Sequence, residues 1–497
     1  MRRLIATFLT AVLLCFGRAA QSQGYASHWI FGNGFHLEFD ESGPNVLPNI
    51  DDYYGFEGVS TISDRQGNLL YYSNAVKIWN RSYEPLFGSD TFPSIYIPEA
   101  SSKASGSLFL QWPGDSTGRY VAFFSMNESD DKLYYSKLDV NLDSGLGGMM
   151  DSFKYKQVWD EQVAEYLSAV KHANGRDWWI VGKRSANSYS SEFLLALLTP
   201  QGINSTIVRD GIYLSNFAGI ITFSPTGDYL VLTNSFGNCP KAPPAVALFS
   251  FDRCEGNIEF IDTILTRGCY QIPYGVAFSP DGSQIYYTLV EQTKLYQLTL
   301  EGERLVDTLI FDLRGPTSIG IVGGSLISGK DNRIYVNYSR ALPSSEYDAL
   351  SQHLGVINSP NAFGLECSFD TFSIYLGGPF NTGFSLPNFA NYDLGALLGS
   401  PCDTLSPQDT TQTGLHHQLL QNISWLINPS ISSGSFTVTG GPASWLVVHD
   451  LYGREVLRQW HEGRSTFDLA EQPAGVYLVY LRAADGTQTL PRKIVLQ

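Results

Sequence analysis

A hairpin motif that returns every fifty-odd residues constrains this chain more than any other feature. Gly219-IITFSPTGDYLVLTNS and Gly275-VAFSPDGSQIYYTLV each show alternating apolar residues, a Ser-Pro-x-Gly turn, and a second alternating run. Alternation of period two marks a strand with one buried face, and the turn needs Gly for its backbone angles. Looser copies run Glu57-GVSTISDRQGNLLYYSN, Tyr120-VAFFSMN behind Ser116-Thr-Gly118, Glu165-YLSAVKHANGRDWWIV and Ile327-SGKDNRIYVNYS, the last with Asp331-Asn332 in place of the turn glycine. The turn glycines Gly67, Gly118, Gly175, Gly227 and Gly282 are separated by 51, 57, 52 and 55 residues.

That period, with about four short strands per unit, is the scale of a β-propeller blade. Ala245-VALFSFD and Thr293-KLYQLTL supply outer strands, and Glu301-Gly302 and Glu255-Gly256-Asn257 the turns that close them. No long stretch has helical spacing of apolar residues. The fold class expected is therefore all-β: a propeller of seven blades, or six, followed by a small C-terminal β-sandwich. A sandwich in place of the propeller is the lesser alternative. Six units are visible; pairing His28-WIFGNGFHLEFD with Phe369-DTFSIYLGG would complete a seventh and close the ring, removing exposed sheet edges. Aromatic residues make up 13% of the chain, which suits sheet packing before it suits a sugar-stacking surface.

Charge narrows the partners. The chain carries −16, but residues 1–20 contribute +3 and residues 421–497 are neutral, leaving about −19 on the middle. A body this acidic repels phosphate backbones and anionic lipid, which excludes nucleic acid and a polybasic membrane contact. Met1-Arg-Arg, an apolar run from Leu4 to Phe16 and small residues near Ala20 form a secretory signal over 1–22, cleaved after Ala20 or Ser22. No later segment is long and apolar enough to span a membrane as a helix. Five cysteines then remain, in a compartment that permits disulfides. Cys367–Cys402 is a reasonable pair, with one of Cys239, Cys254 and Cys269 left over; none has C-x-x-C spacing.

The propeller is expected over 23–399 and a polar, Pro- and Thr-bearing linker over 400–420. Strand signals resume at Ser435-FTVTG, Ser444-WLVVHD, Arg454-EVLRQW, Ser465-TFDLA, Gly475-VYLVYLRA and Arg492-KIVLQ, enough for a small sandwich over 421–497. Asn428-Pro429 precedes Ser433-Gly434-Ser435-Phe436, then come Val448-His-Asp-Leu-Tyr-Gly453-Arg454-Glu-Val456, Phe467-Asp-Leu-Ala, Pro473-Ala-Gly475-Val-Tyr477-Leu-Val and a terminal Lys493-Ile-Val-Leu-Gln. This tail resembles the C-terminal sorting domain of the type IX bacterial secretion system in motif order, spacing and position. The resemblance implies recognition by the outer-membrane translocon, removal of the tail, and attachment to surface lipopolysaccharide or release. The body is similar to uncharacterised exported propellers of bacteria with that system, through Trp29-x-Phe-Gly-Asn-Gly, Glu57-Gly, Val76-Lys-Ile-Trp79-Asn80, His172-Ala-Asn-Gly-Arg-Asp and Leu386-Pro-Asn-Phe389. It brings a fold and no activity.

Two residues are candidates for chemistry. Aligning Gly67 with Gly175 sets Glu57 opposite Glu165, at the start of the innermost strand in two blades. Facing the channel, they could hold a hard cation such as Ca²⁺ or act as an acid/base pair; otherwise each caps a turn or pairs with a nearby arginine. His172 is expected as a hydrogen-bonded turn residue and Asn127–Asp131 as a solvated loop. No nucleophile elbow, zinc pair or phosphate loop is present. The leading expectation is a secreted or cell-surface recognition protein binding a surface protein or polysaccharide. The alternatives are a hydrolase or lyase acting on a sugar or lactone through Glu57 and Glu165, and a structural part of the surface or motility apparatus.

Overall fold

A computed structural model describes residues 24–40, 43–89, 103–125, 131–185, 189–215, 219–235, 244–265, 272–290, 294–301, 304–312, 321–340, 352–377, 383–384, 386–403, 405, 425–428, 431–432, 434–450, 455–482, 489 and 492–496. The chain separates into two compact units, with the break between Thr411 and Gln412. The larger unit is a seven-bladed propeller. Its blades begin with the inner strands His28–Phe31, Ser60–Ser63, Ser107–Gln111, Val163–Lys171, Ile221–Phe223, Ile272–Phe278 and Ile321–Ser328. Each blade is an antiparallel meander, three-stranded in the first two, four-stranded in the last four; two short strands share one partner at the outer side of the third.

The repeat glycines do what their pattern requires. Gly67, Gly118, Gly175, Gly227 and Gly282 all have φ between +73° and +98°, and Asn332 takes the same role in the seventh blade at +60°. The blades then bury their apolar faces on one another. One cluster joins the second, third and fourth blades, and others join the fourth to the fifth, the fifth to the sixth and the sixth to the seventh. Trp29, Phe35 and Phe39 of the first blade pack with Tyr335, Leu354 and Val356 of the seventh and with Tyr72 of the second, so the apolar layer runs around a closed ring. Each such fully buried side chain contributes roughly 1.5–3 kcal/mol.

Closure differs from the expectation in one respect. The segment from His28 does not pair with Phe369–Tyr375; it folds back through Phe35–Asp40 and Gly43–Leu47 into a blade of its own. Phe369–Tyr375 is the outer strand of the seventh blade, paired with His353–Ile357. The opening segment pairs its three strands with one another, so it satisfies its own ladder, and side-chain packing rather than strand pairing closes the ring.

The disulfide is also different: Cys254 pairs with Cys402, Cα atoms 5.6 Å apart, and Cys367 is a buried free thiol. Cys239 and Cys269 lie outside the described residues. The bond attaches the chain beyond Gly399 to the hairpin Asp252–Asn257 of the fifth blade, so the body runs at least to Cys402, inside the stretch expected as linker. Among the described residues no helix is long and apolar enough to cross a membrane.

The smaller unit is a two-sheet sandwich. Trp425–Asn428, Ser435–Gly440 and Arg464–Asp468 form one sheet. The other holds Ile431–Ser432, Arg492–Leu496, Gly475–Arg482, Ser444–Asp450 and Glu455–His461. Phe436, Val438, Leu446, Val448, Phe467, Val479, Leu481 and Ile494 fill the space between them.

Candidate functional site: one mouth of the propeller channel

The inner strands give the channel two unlike ends: a leading end, where those strands begin, and a turn end, where the repeat glycines lie. Residues 386–397 run along the axis between them. Asn388 donates from its backbone to the Val59 carbonyl and from Nδ2 to the carbonyls of Ser107 and Leu167, on the inner strands of the third and fourth blades. The Tyr392 hydroxyl donates to Phe109 O at 2.7 Å, and Asn391 Nδ2 to Pro225 O at 2.8 Å. A segment that bonds to the second, third, fourth and fifth blades in turn must lie on the axis.

At the turn end the axial segment packs against the fourth and fifth blades. A Cβ on Gly175 would sit 2.5 Å from Ala396 N, and one on Gly227 2.8 Å from Leu394. Arg253 donates to the carbonyls of Lys171 and Gly395, and Leu397 N–H to Ala173 O. His172 is the turn residue expected: Asn174 N–H donates to its Nδ1, which puts the proton on Nε2, 3.1 Å from Cys254 O.

The leading end gathers ionisable groups from four blades. Glu57 precedes the inner strand of the second blade and is 9% exposed. Its Oε1 accepts from the hydroxyl of Tyr274, on the sixth blade, at 2.6 Å, so this bond crosses the channel. Glu165, on the inner strand of the fourth blade, accepts the Ala104 N–H on Oε2 at 3.2 Å. Lys103, buried before the third blade, pairs with Asp131 at 3.1 Å. The loop expected to be merely solvated thus delivers its last residue to the mouth; residues 127–130 lie outside the described set. Phe384 packs edge-on to Phe56 at 4.9 Å and to Tyr274 at 6.1 Å, while Tyr54 continues the row at 6.4 Å from Phe56.

Local backbone explains why these side chains meet. The ladder of the fourth blade shifts register between Val163 and Leu167, and that of the sixth between Pro273 and Val276. Glu165 and Tyr274 each stand in such a bulge. A bulge frees its residues from the alternation of the strand and re-aims them, here toward the axis. Gly58 permits the close approach of the second and third blades: a Cβ there would fall 2.8 Å from Lys103 O.

The electrostatics follow from burial. Desolvation, with the charge of Glu165 added, pushes Glu57 up to about 8 despite the Tyr274 bond. Desolvation raises Glu165 to about 7 against the Ala104 bond and the field of Lys103. Burial lowers Lys103, and Asp131 opposes that. The two sequence candidates therefore share one site. Tyr274, Lys103, Asp131, Phe56 and Phe384 were not singled out by the pattern, and the available signal was faint: Tyr274 merely precedes the repeat glycine Gly275.

The tail motif residues have structural positions of their own. Gly434, at φ +136°, leaves no room for a side chain, since a Cβ would lie 2.7 Å from Ala470 Cα. Tyr477 is buried and its hydroxyl donates to Pro473 O at 2.7 Å. Gly475 pairs with Leu496, Lys493 with Leu478 and Asn428 with Thr437 across strands. Pro429, Gly453 and Arg454 lie outside the described residues.

No family model matches the chain, and neither does any curated protein. Solved structures similar to it include the periplasmic gluconolactonase PpgL of Pseudomonas aeruginosa, at 12% identity and TM-score 0.38 over 85% of this chain and 95% of that one. Kluyveromyces lactis Hsv2 is similar at 8% identity and TM-score 0.36, over 68% and 90%. The β-propeller domain of Myceliophteria thermophila Cps50 (Swd1) gives 11% and 0.36, over 64% and 94%. The ring described above rests on its own sheets and not on these likenesses.

Proposed function

We propose that this chain is an exported recognition protein whose propeller takes its ligand at the leading mouth of the channel, and whose tail directs it to the cell surface or medium through the type IX system. One observation carries the reading of the mouth: Glu57, Glu165, Tyr274 and Lys103 come from four blades and converge at one end of the axis. Polar groups from four blades, two of them re-aimed by strand bulges, beside a row of aromatic rings suit a binding site. Export rests on the signal over 1–22 and on the resemblance of residues 421–497 to sorting domains.

Two experiments separate the halves. Deleting residues 421–497 should leave the protein in the periplasm; unchanged surface display after that deletion contradicts the export half. Incubating the full chain with arrayed surface proteins and glycans should give saturable binding that a Glu57→Ala/Glu165→Ala pair loses, with the ligand recovered intact.

A second reading is favoured by the coupling of the two carboxyls. Glu57, protonated at neutral pH, could act as an acid while Glu165 acts as the base, on a sugar or lactone. Consumption of the ligand by the unmutated protein alone would move the function to that class.

A further inference from the structure

Once Glu57 and Glu165 ionise, the charges of the described residues at the leading mouth do not balance. Among the described residues, Glu57, Glu165 and Asp131 bring three carboxyls, and the ammonium that faces them, Lys103, is held by Asp131 at 3.1 Å and by Val163 O at 3.5 Å. Tyr274 and the Ala104 N–H donate hydrogen bonds without bringing a charge. Each glutamate has one oxygen bonded; Glu57 Oε2 and Glu165 Oε1 accept no hydrogen bond from any described residue. Beside them stands the row Tyr54, Phe56, Phe384 and Tyr274, whose ring faces attract cations.

From this geometry we propose that the mouth binds the ammonium end of a lysine-like alkyl arm presented by a partner protein. The inference rests on the recognition reading above and names its ligand. The arm supplies the missing positive charge and donates to the two free carboxyl oxygens. Its methylene stem passes along the aromatic row. Anionic ligands meet carboxylates of their own sign. A calcium ion needs six to eight oxygens, whereas among the described residues no three acidic or histidine ligand atoms at the mouth lie within 4.8 Å of one another. The partners' field is consistent: the body as a whole is acidic, which draws a basic partner toward it.

The test is calorimetric titration of the full chain with an oligolysine hexapeptide, the same peptide with its side chains acetylated, glucosamine and N-acetylglucosamine oligomers, and calcium chloride. The oligolysine should bind, acetylation should weaken it at least tenfold, and Glu57→Gln and Glu165→Gln should each do the same. Phe384→Leu should weaken binding severalfold. The glutamine variants should melt no lower than the parent, which separates a lost ligand contact from a lost fold. Oligolysine binding that survives both glutamine substitutions would overturn the proposal, because the peptide would then be sitting elsewhere on the acidic body. Binding of acetylated peptide or of either sugar series, sensitive to Glu57→Gln, would overturn the ammonium arm while leaving the mouth as the recognition site. Calcium binding sensitive to both glutamates would do likewise. Silence from every probe would overturn the ammonium arm and count against the recognition reading with it.

Discussion

The two ends of the channel are built from the same seven inner strands, yet they treat buried charge in opposite ways. At the turn end Arg253 is surrounded by carbonyls, donating to Lys171 O and Gly395 O, and the Lys171 ammonium lies 3.9 Å over the ring of Trp178. Cys254–Cys402 fastens the axial segment there. At the leading end the buried Glu57 and the half-buried Glu165 each keep one oxygen that accepts no hydrogen bond from any described residue, and the Lys103 ammonium pairs with Asp131. The first end meets its cations with carbonyls and a ring face, whereas the second gathers carboxyls that burial raises well above their ordinary range, which is where function is sought.

The contrast can be broken at its strong end first. A Cys254→Ser/Cys402→Ser pair opens a bond spanning 148 residues of sequence and should cost about 2–5 kcal/mol. Thermal unfolding should fall and become insensitive to reductant. An unchanged midpoint would mean the axial segment needs no fastening. Next, Asn388→Ala removes the donor that Ser107 O and Leu167 O share, for a loss of about 3 kcal/mol by denaturant titration.

The leading end should behave in the reverse sense. Glu57 is raised in the fold to about 8, so the native state holds its proton more tightly than the unfolded chain does. That contribution is fully present below the unfolded value near 4.5 and is lost as pH climbs through 8. Glu165, raised to about 7, adds to the same slope, while Tyr274, Lys103, Asp131 and Tyr54 are the other groups facing it. Glu57→Gln should therefore stabilise the protein by on the order of 2 kcal/mol at pH 9 and change nothing at pH 4. Destabilisation at pH 9 would show that the carboxylate is structurally satisfied. The smallest effect is expected at the exposed Trp445–Trp460 pair of the tail, where Trp460→Ser should shift stability by about 0.5 kcal/mol or less.

Much of this was legible in the sequence, for reasons that particular residues make plain. Gly67, Gly118, Gly175, Gly227 and Gly282 announced the blades because a positive φ leaves few other choices. Glu57 and Glu165 could be paired because equivalent positions in repeated units face the same axis. Tyr274 and Lys103 could not, since a bulge and a blade-to-blade loop break the register on which such alignment depends. The disulfide was misread for a similar reason. Cys402 returns along the axis with Leu386–Leu397 to reach Cys254, a path that local spacing does not reveal.

The most direct test of the mouth as a carboxyl site for a cation is to count protons. Oligolysine binding to the full chain at pH 7 would be followed by calorimetry in two buffers of different ionisation enthalpy. A bound ammonium favours ionised carboxyls, so close to one proton should leave the protein per site at pH 7, with less leaving at pH 9 and far less from Glu57→Gln. Binding without proton release, or with release unchanged in Glu57→Gln, would contradict the account.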